Sequence, residues 1–183
     1  MDIETRPDDT KMKVAVCGWS YRMSAAHVAE EMRKIGVRTV DLAACPFVDP
    51  KAVLPNTGVE LILETGQETA DDLAGMLVNL PGVYVNLDPA NMILYGKGDP
   101  VKAVKTLAPW IRHIHIKDAN YAKVPGTWGE EVEWTRGQVN ADAFIAALQE
   151  IGFDGCLAVE REAGNDRSGA IARAVMDLHR RGF

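Results

Sequence analysis

Cysteine, positive charge and long apolar runs are all scarce in this sequence, and each scarcity argues against a class of protein. The three cysteines, Cys17, Cys45 and Cys156, are odd in number and widely spaced, so they predict neither a disulfide framework nor a zinc–thiolate site. No apolar run reaches the roughly 18 residues that cross a membrane. The net charge of −6 would repel a phosphate backbone. We therefore expect a cytoplasmic protein that binds neither membranes nor nucleic acid.

Residues 1–11 are polar and acidic, lack the apolar core of a signal peptide, and are predicted to form a disordered tail. Residues 12–183 alternate short apolar runs with helical patterns, which is typical of βα units around a parallel sheet. Strands are predicted at 12–17, 38–42, 59–64, 83–88, 111–117 and 156–160. Helices are predicted at 24–34, 71–79, 99–107, 141–151 and 168–180, and the segment 119–139 is predicted to be a long polar loop.

These elements predict a single α/β domain over residues 12–183, built as a TIM-barrel-like parallel sheet shortened to about six βα units. A closed eightfold barrel typically needs eight strands and ~250 residues, and this chain has 183. The segment 43–58 contains three prolines and no sustained helical period, although a regular βα array would place a helix there. We therefore expect about two βα units to be absent.

Four predicted strands end on a side chain that can bind a metal ion. Because residues two apart on a strand share a face, Asp88 lies with Asn86, and His115 lies with His113. The four strand-end residues are Glu64, Asp88, His115 and Glu160. Parallel sheets and barrels place their sites at the carboxyl ends of the strands, so these side chains are expected to converge. Three carboxylates and one imidazole suit one Mn²⁺, Mg²⁺ or Co²⁺ ion, with Zn²⁺ as a further candidate.

The strand ends also carry longer sequence motifs. His113–Asp118 (HIHIKD) resembles the seventh-strand motif of the xylose isomerase-like barrel superfamily of sugar isomerases and epimerases, and Asn86–Asn91 (NLDPAN) resembles its sixth-strand motif. Leu63 and Glu64 are similar to the fifth-strand end, Ala158–Arg161 (AVER) to the eighth strand, and the run 137–155 to the segment between them. The third and fourth βα units of the superfamily have no counterpart, because the chain passes from a second-strand-like segment into a fifth-strand-like one.

The resemblance implies roles for individual residues. Glu64, Asp88, His115 and Glu160 would bind the metal, and Glu64 and Glu160 would also act as the catalytic acid/base pair. A metal that chelates a ketose carbonyl and the adjacent hydroxyl acidifies the shared C–H bond and stabilises an enediolate, while two carboxylates remove and return the proton. The predicted substrate-binding residues are Asn91, Lys117, Gln67 and Trp128. His113 and Asp118 are predicted to support the ligands without binding the metal.

Several interpretations stay open at the level of the sequence. Lys117 and Asp118 look more like the inosose dehydratase branch, so a lyase is the alternative to an isomerase or epimerase of a small sugar or polyol. A catalytically impaired metal- or sugar-binding remnant is a third hypothesis, because the barrel is shortened. Gln67 either binds ligand or helps cap the next helix, and Trp128 and Trp134 either form a lid or pack the loop onto the barrel rim. The superfamily's DNA-repair endonuclease branch is disfavoured, because its three-zinc site needs more histidines than the four present.

A shortened array leaves two sheet edges that a closed barrel does not have. Exposed edges present unpaired backbone groups and invite pairing with another chain. We therefore expect a homo-oligomer or a partly open barrel.

Overall fold

The computed structural model describes residues 12–17, 31, 33–37, 39–41 and 61–183. Its strands are β1 (Lys13–Cys17), β2 (Thr39–Asp41), β3 (Leu61–Glu64), β4 (Val83–Leu87), β5 (Ile111–Ile116), β6 (Asp118–Asn120), β7 (Glu130–Val132) and β8 (Cys156–Val159). The helices with both ends described are α1 (Ala70–Leu77), α2 (Pro89–Leu94), α3 (Pro100–Leu107), α4 (Ala141–Glu150) and α5 (Arg167–Arg180). The predicted tail at 1–11, most of the predicted helix at 24–34 and the proline-rich segment 43–58 lie outside the described residues.

Six strands form one sheet in the order β2-β1-β8-β5-β4-β3, and every neighbouring pair in it is parallel. The register places His115 opposite Ala158 and Glu64 opposite Asn86, so the carboxyl ends of the central strands lie side by side. In the part of the chain that the structure describes, β2 and β3 are the two edges. The predicted shortened α/β barrel-like sheet is therefore confirmed.

The sheet forms where short runs rich in Val, Ile and Leu are bounded by helix-starting residues. Along β4, buried Val83, Val85 and Leu87 alternate with half-buried Tyr84 and Asn86, which is the period of a strand. The helices begin at side chains that accept a backbone N–H, such as Asp99 before α3 and Asn140 before α4. The apolar faces of these helices bury Phe144, Leu148 and Leu107 with the sheet in one core.

Two elements differ from the sequence prediction. Helix α2 begins directly after Asp88, which caps it through a hydrogen bond from the backbone N–H of Asn91 to Oδ1. The predicted loop 119–139 contains an antiparallel hairpin of β6 and β7. Both elements are short, with six residues in α2 and three in each hairpin strand, so neither carries a sustained hydrophobic period.

Within the described ranges, no helix combines the length and the hydropathy that a membrane crossing would need.

Candidate metal centre

Glu64, Asp88, His115 and Glu160 lie together at the carboxyl edge of the sheet, each offering one ligand atom within 4.8 Å of the others. The Nδ1 atom of His115 faces all three carboxylates. It lies 3.1 Å from Glu64 Oε1, 3.2 Å from Glu160 Oε2 and 3.5 Å from Asp88 Oδ2. Parallel pairing of β3, β4, β5 and β8 produces this convergence, because each residue stands within one position of the end of its strand.

Asp88 is the residue whose surroundings most clearly call for a cation. It is fully buried, its Oδ1 accepts the N–H of Asn91 at 3.0 Å, and its backbone N–H donates to Thr65 Oγ1 at 2.8 Å. Its Oδ2 has no hydrogen-bond partner, the single such case among buried side-chain atoms of the described residues. A buried charged oxygen is costly unless it is paired or binds a metal. The donor set therefore fits a divalent ion in its chemistry and in this unsatisfied atom.

Glu64 is the most exposed of the four, with 45% of its side chain accessible. Its Oε1 accepts a hydrogen bond from Asn91 Nδ2 at 3.2 Å, and the same nitrogen donates to the carbonyl oxygen of Thr65 at 3.0 Å. Both amide hydrogens of Asn91 are therefore engaged with the protein. In this structure Asn91, predicted to bind substrate, orients Glu64.

Glu160 and Lys117 form a buried ion pair, with Lys117 Nζ 3.0 Å from Glu160 Oε2, 2.9 Å from Glu162 Oε2 and 3.6 Å from Asp88 Oδ2. Burial alone would raise the pKa of Glu160, but the hydrogen bond and charge of His115, together with Lys117, lower that pKa to about 2. Burial would lower the pKa of Lys117, but Asp88, Glu160 and Glu162 raise it well above its usual range. Lys117 thus stays charged and offsets at most one of the three negative charges of the candidate ligands.

His113 reaches the site through Asn86. His113 Nδ1 lies 2.9 Å from Asn86 Oδ1, and Asn86 Nδ2 lies 2.9 Å from His115 Nε2. The two imidazole rings stand edge to face with centroids 5.6 Å apart, because residues two apart on β5 share a face. Asn86 therefore links the ring of His113 to that of His115, and the supporting role of His113 stays a prediction.

Asp118 binds backbone groups of the segment that follows β5, and its predicted supporting role stays a prediction. Its carboxylate accepts the backbone N–H groups of Ala119, Gly137 and Val139 at 2.8, 2.9 and 3.1 Å. Burial raises the pKa of Asp118, and these hydrogen bonds only partly oppose the shift. Asp118 therefore anchors the segment that carries the β6–β7 hairpin, and within the described residues these hydrogen bonds do not reach the four candidate ligands.

Gln67 and Trp128 line one cavity of about 430 Å³, together with Tyr95, Lys97 and Tyr121. Trp128 is 72% exposed and stacks edge to face on Tyr95, with centroids 5.4 Å apart. Helix α1 is capped by Thr69, so Gln67 is not its cap. Trp134 is buried and donates from Nε1 to Asp177 at 2.9 Å, so it packs the loop and cannot form a lid.

Sequence reasoning missed several residues that shape the centre. Glu162 shares Lys117, and Thr65 fixes the backbone of Asp88. Glu131 Oε1 accepts from Arg161 Nη1 at 2.8 Å and from the N–H groups of Glu162 and Ala163 at 3.0 and 3.2 Å, which holds the chain just after Glu160. Among the residues around the ligands, the sequence pattern indicated Asn86, because it places Asn86 on the same strand face as Asp88.

A sequence profile of the xylose isomerase-like TIM barrel family matches residues 42–181. The xylose isomerase domain protein from Planctomyces limnophilus is 33% identical, with a TM-score of 0.66 over 85% of this chain and 65% of that one, so this chain spans under two thirds of its length. A family protein from Mycobacterium smegmatis, solved in complex with magnesium, has a TM-score of 0.59 at 18% identity, over 92% of this chain and 72% of its own.

D-allulose 3-epimerase from Methylomonas sp., solved in complex with D-allulose, has a TM-score of 0.53 at 14% identity, over 93% of this chain and 86% of its own. At such identities the likeness shows the fold alone. No curated protein matches the sequence significantly. The profile match and the parallel sheet together show that this chain belongs to the family of xylose isomerase-like TIM barrels.

Proposed function

We propose that this protein is a divalent-metal-dependent isomerase or epimerase of a small sugar or polyol. The observation that carries the proposal is the meeting of three carboxylates and one imidazole nitrogen within 4.8 Å, with a buried oxygen of Asp88 left without a hydrogen-bond partner. Glu64, Asp88, His115 and Glu160 are the proposed ligands. Lys117 neutralises at most one of the three carboxylates. At least two negative charges are therefore left, and one divalent cation would balance them.

Glu64 and Glu160 are the proposed acid/base pair. When bound, the metal would polarise a carbonyl and its neighbouring hydroxyl, which makes the C–H bond between them acidic. The two carboxylates project from β3 and β8, which are separated in the sheet by β4 and β5. One can therefore remove a proton from a substrate held between them while the other returns it. The low pKa of Glu160 keeps it ionised at neutral pH, the state that accepts a proton.

Substrate contacts are proposed for Lys117, Gln67 and Trp128, and for Asn91 through its Oδ1, since its Nδ2 already donates to Glu64 and Thr65. The cavity lined by Gln67 and Trp128, about 430 Å³, is of the size that holds a small organic ligand. The exposed indole of Trp128 offers an apolar surface to a sugar, and Lys117 offers a charged donor close to Glu160.

Mn²⁺, Mg²⁺ and Co²⁺ are the metals we propose first, with Zn²⁺ as the further candidate. Carboxylate oxygens outnumber the imidazole nitrogen by three to one, which suits hard or intermediate divalent ions. One structural neighbour, from Mycobacterium smegmatis, was solved with magnesium and another, the IOLI protein, with a zinc atom, so both ions belong in a binding test.

A lyase resembling inosose dehydratase is the second candidate function, and Lys117 favours it. Lys117 is 4% exposed, and its ammonium stays charged and lies 3.0 Å from Glu160 Oε2. A fixed cation beside the carboxylate that removes the proton is suited to stabilise a departing hydroxide on the neighbouring carbon.

Incubation of the metal-loaded protein with keto-sugars and with inososes in D₂O separates these functions. An epimerase or isomerase incorporates deuterium at the carbon beside the carbonyl and yields a new stereoisomer or position isomer, which ¹H NMR detects. A lyase instead releases water and yields an unsaturated or tautomerised product. Glu160→Gln is the matched inactive variant. Absence of exchange and of product with every substrate, in protein that holds its metal, would leave the impaired remnant as the function.

We further propose that residues 12–183 act as one domain and that the protein is a homo-oligomer. Among the described strands, β2 and β3 are sheet edges, and exposed Ile62 lies on β3 while exposed Met76 lies on α1 beside it. An edge with apolar neighbours favours pairing with a second copy.

A further inference from the structure

The ammonium of Lys117 is shared among three carboxylates, and two of them belong to proposed metal ligands. Its Nζ lies 3.0 Å from Glu160 Oε2, 3.6 Å from Asp88 Oδ2 and 2.9 Å from Glu162 Oε2. The same oxygens of Glu160 and Asp88 also face Nδ1 of His115, at 3.2 and 3.5 Å. A cation held by the proposed ligands and the ammonium of Lys117 would therefore draw on the same two oxygens.

Glu162 is the acceptor of Lys117 that is not a proposed ligand. Its side chain is 54% exposed, whereas those of Lys117 and Glu160 are buried, so its carboxylate lies on the solvent side of the ammonium. The backbone N–H of Glu162 donates to Glu131 Oε1 at 3.0 Å, and the same oxygen accepts from Arg161 Nη1 at 2.8 Å. Glu162 is thus fixed at a point where it can keep Lys117 when the other two oxygens turn to a cation.

Two cations that share these oxygens repel each other. The repulsion is strong because the site is buried and weakly screened by solvent and salt. Lys117 can reduce it by loosening its contacts with Glu160 and Asp88, but a buried ammonium without any partner is costly. Its contact with Glu162 removes this cost, since one charged acceptor is kept throughout.

We propose that Glu162 is a positioning residue that holds the ammonium of Lys117 beside the metal site, so that a divalent cation can bind to Asp88 and Glu160. When the cation binds, Nζ of Lys117 moves toward Glu162 and away from Asp88 Oδ2. The change involves ion pairs and hydrogen bonds alone, and Lys117 remains in the site. The inference rests on the proposed function and deepens it, because it makes Glu162 a determinant of cation affinity that acts through Lys117.

Isothermal titration calorimetry with Mn²⁺ tests the proposal on the wild type, Glu162→Gln, Lys117→Met and the double variant. Glu162→Gln should raise the Kd for Mn²⁺ about tenfold, because the ammonium then competes more strongly for Glu160 and Asp88. Lys117→Met should lower the Kd about tenfold, because the competing charge is gone. In the Lys117→Met background, Glu162→Gln should change the Kd by less than about threefold, since Glu162 has lost the group through which it acts.

Glu150→Gln is the matched control for the loss of an exposed carboxylate that pairs with a lysine. Glu150 Oε2 lies 2.8 Å from Lys105 Nζ, and both side chains are exposed. The substitution changes the net charge by the same amount and should leave the Kd for Mn²⁺ unchanged. Circular dichroism shows whether each variant is folded. A folded Glu162→Gln with the Kd of the wild type would overturn the proposal, as would an equal loss in both backgrounds, which a direct effect of charge would produce.

A crystal structure of the wild type with Mn²⁺ gives a second measurement, which decides the proposal even if Lys117→Met does not fold. We expect Nζ of Lys117 to stay within hydrogen-bond distance of Glu162 and to lie farther from Asp88 Oδ2 than the present 3.6 Å. An ammonium that stays in place, or that leaves Glu162, would contradict the proposal. If the wild type bound no Mn²⁺, the proposed function would fall together with this inference. If it bound Mn²⁺ at the proposed ligands and Glu162→Gln bound it equally well, only the inference would fall.

Discussion

Replacing Asp88 by asparagine is expected to stabilise the metal-free protein and to abolish its stabilisation by metal. Asp88 is fully buried, and its Oδ2 has no hydrogen-bond partner among the described residues. Asparagine keeps the oxygen that caps α2 through the N–H of Asn91 and removes the negative charge. The substitution therefore isolates the cost of holding a third carboxylate in this cluster.

The structure sets the size of the effect. With an effective dielectric constant of about 20, the attraction of Lys117 Nζ at 3.6 Å contributes roughly 4–5 kcal/mol, and the two carboxylates within 4.8 Å each repel Asp88 by roughly 3–4 kcal/mol or more. A protonated His115 ring, whose Nδ1 lies 3.5 Å from Asp88 Oδ2, would offset this repulsion, so the comparison is made at a pH at which the ring is uncharged. Net repulsion of about 2 kcal/mol remains, which corresponds to a gain of about 4–8 °C in Tm.

Thermal unfolding followed by circular dichroism, with and without Mn²⁺, measures both effects. At 100 times its Kd the ion should stabilise the wild type by about 2.7 kcal/mol and Asp88→Asn much less. Asp118→Asn is the matched control, because the carboxylate of Asp118 accepts three backbone N–H groups and an amide cannot replace them all. It should cost about 1–3 kcal/mol. A metal-free Tm for Asp88→Asn below that of the wild type would show that Asp88 is not under net repulsion.

Three further predictions concern the ion pairs and the sheet edges. Burial would raise the pKa of Asp177, but hydrogen bonds from Arg181 and Trp134 lower it. Asp177→Asn should therefore lower the free energy of unfolding in urea by about 1 kcal/mol at pH 7. The difference should shrink as the pH falls through the folded pKa of the carboxyl, because protonation removes the same contribution from the wild type. Lys117→Met leaves Glu160 without its cation and should destabilise the metal-free protein by about 3 kcal/mol in the same assay. Added Mn²⁺ should restore part of the lost stability. Sedimentation velocity should give a species larger than one chain, and a monomer at every concentration would contradict the proposed oligomer.

Much of the sheet could be predicted from the sequence because its signals are local. Buried and half-buried residues alternate along β4, the three isoleucines of β5 are buried, and β8 is buried after its first residue. The parallel direction followed from the helices between these strands. The convergence of Glu64, Asp88, His115 and Glu160 needed only the rule that parallel strands end at one edge. The six-stranded count agreed with the pattern as well.

Contacts between distant segments could not be predicted in the same way. The partners of Lys117 include Glu162, 45 residues away, and Glu131 binds backbone groups about 30 residues further along the chain. Asp118 looked like a support for the ligands from its place in the HIHIKD motif, but the turn that follows it brings three N–H groups to its carboxylate. Such hydrogen bonds depend on the path of a loop, and the residue pattern carries no periodic signal for that path.

Elemental analysis of the purified wild type and of Glu160→Gln, after loading with Mn²⁺ and removal of free ion, shows whether the four side chains hold a metal ion. We expect about one bound ion per wild-type chain and a strongly reduced content in the variant, because Glu160 is a proposed ligand buried beside His115 and Lys117. Circular dichroism confirms that both proteins are folded. A wild type without bound metal, or a variant that binds as much as the wild type, would contradict the account.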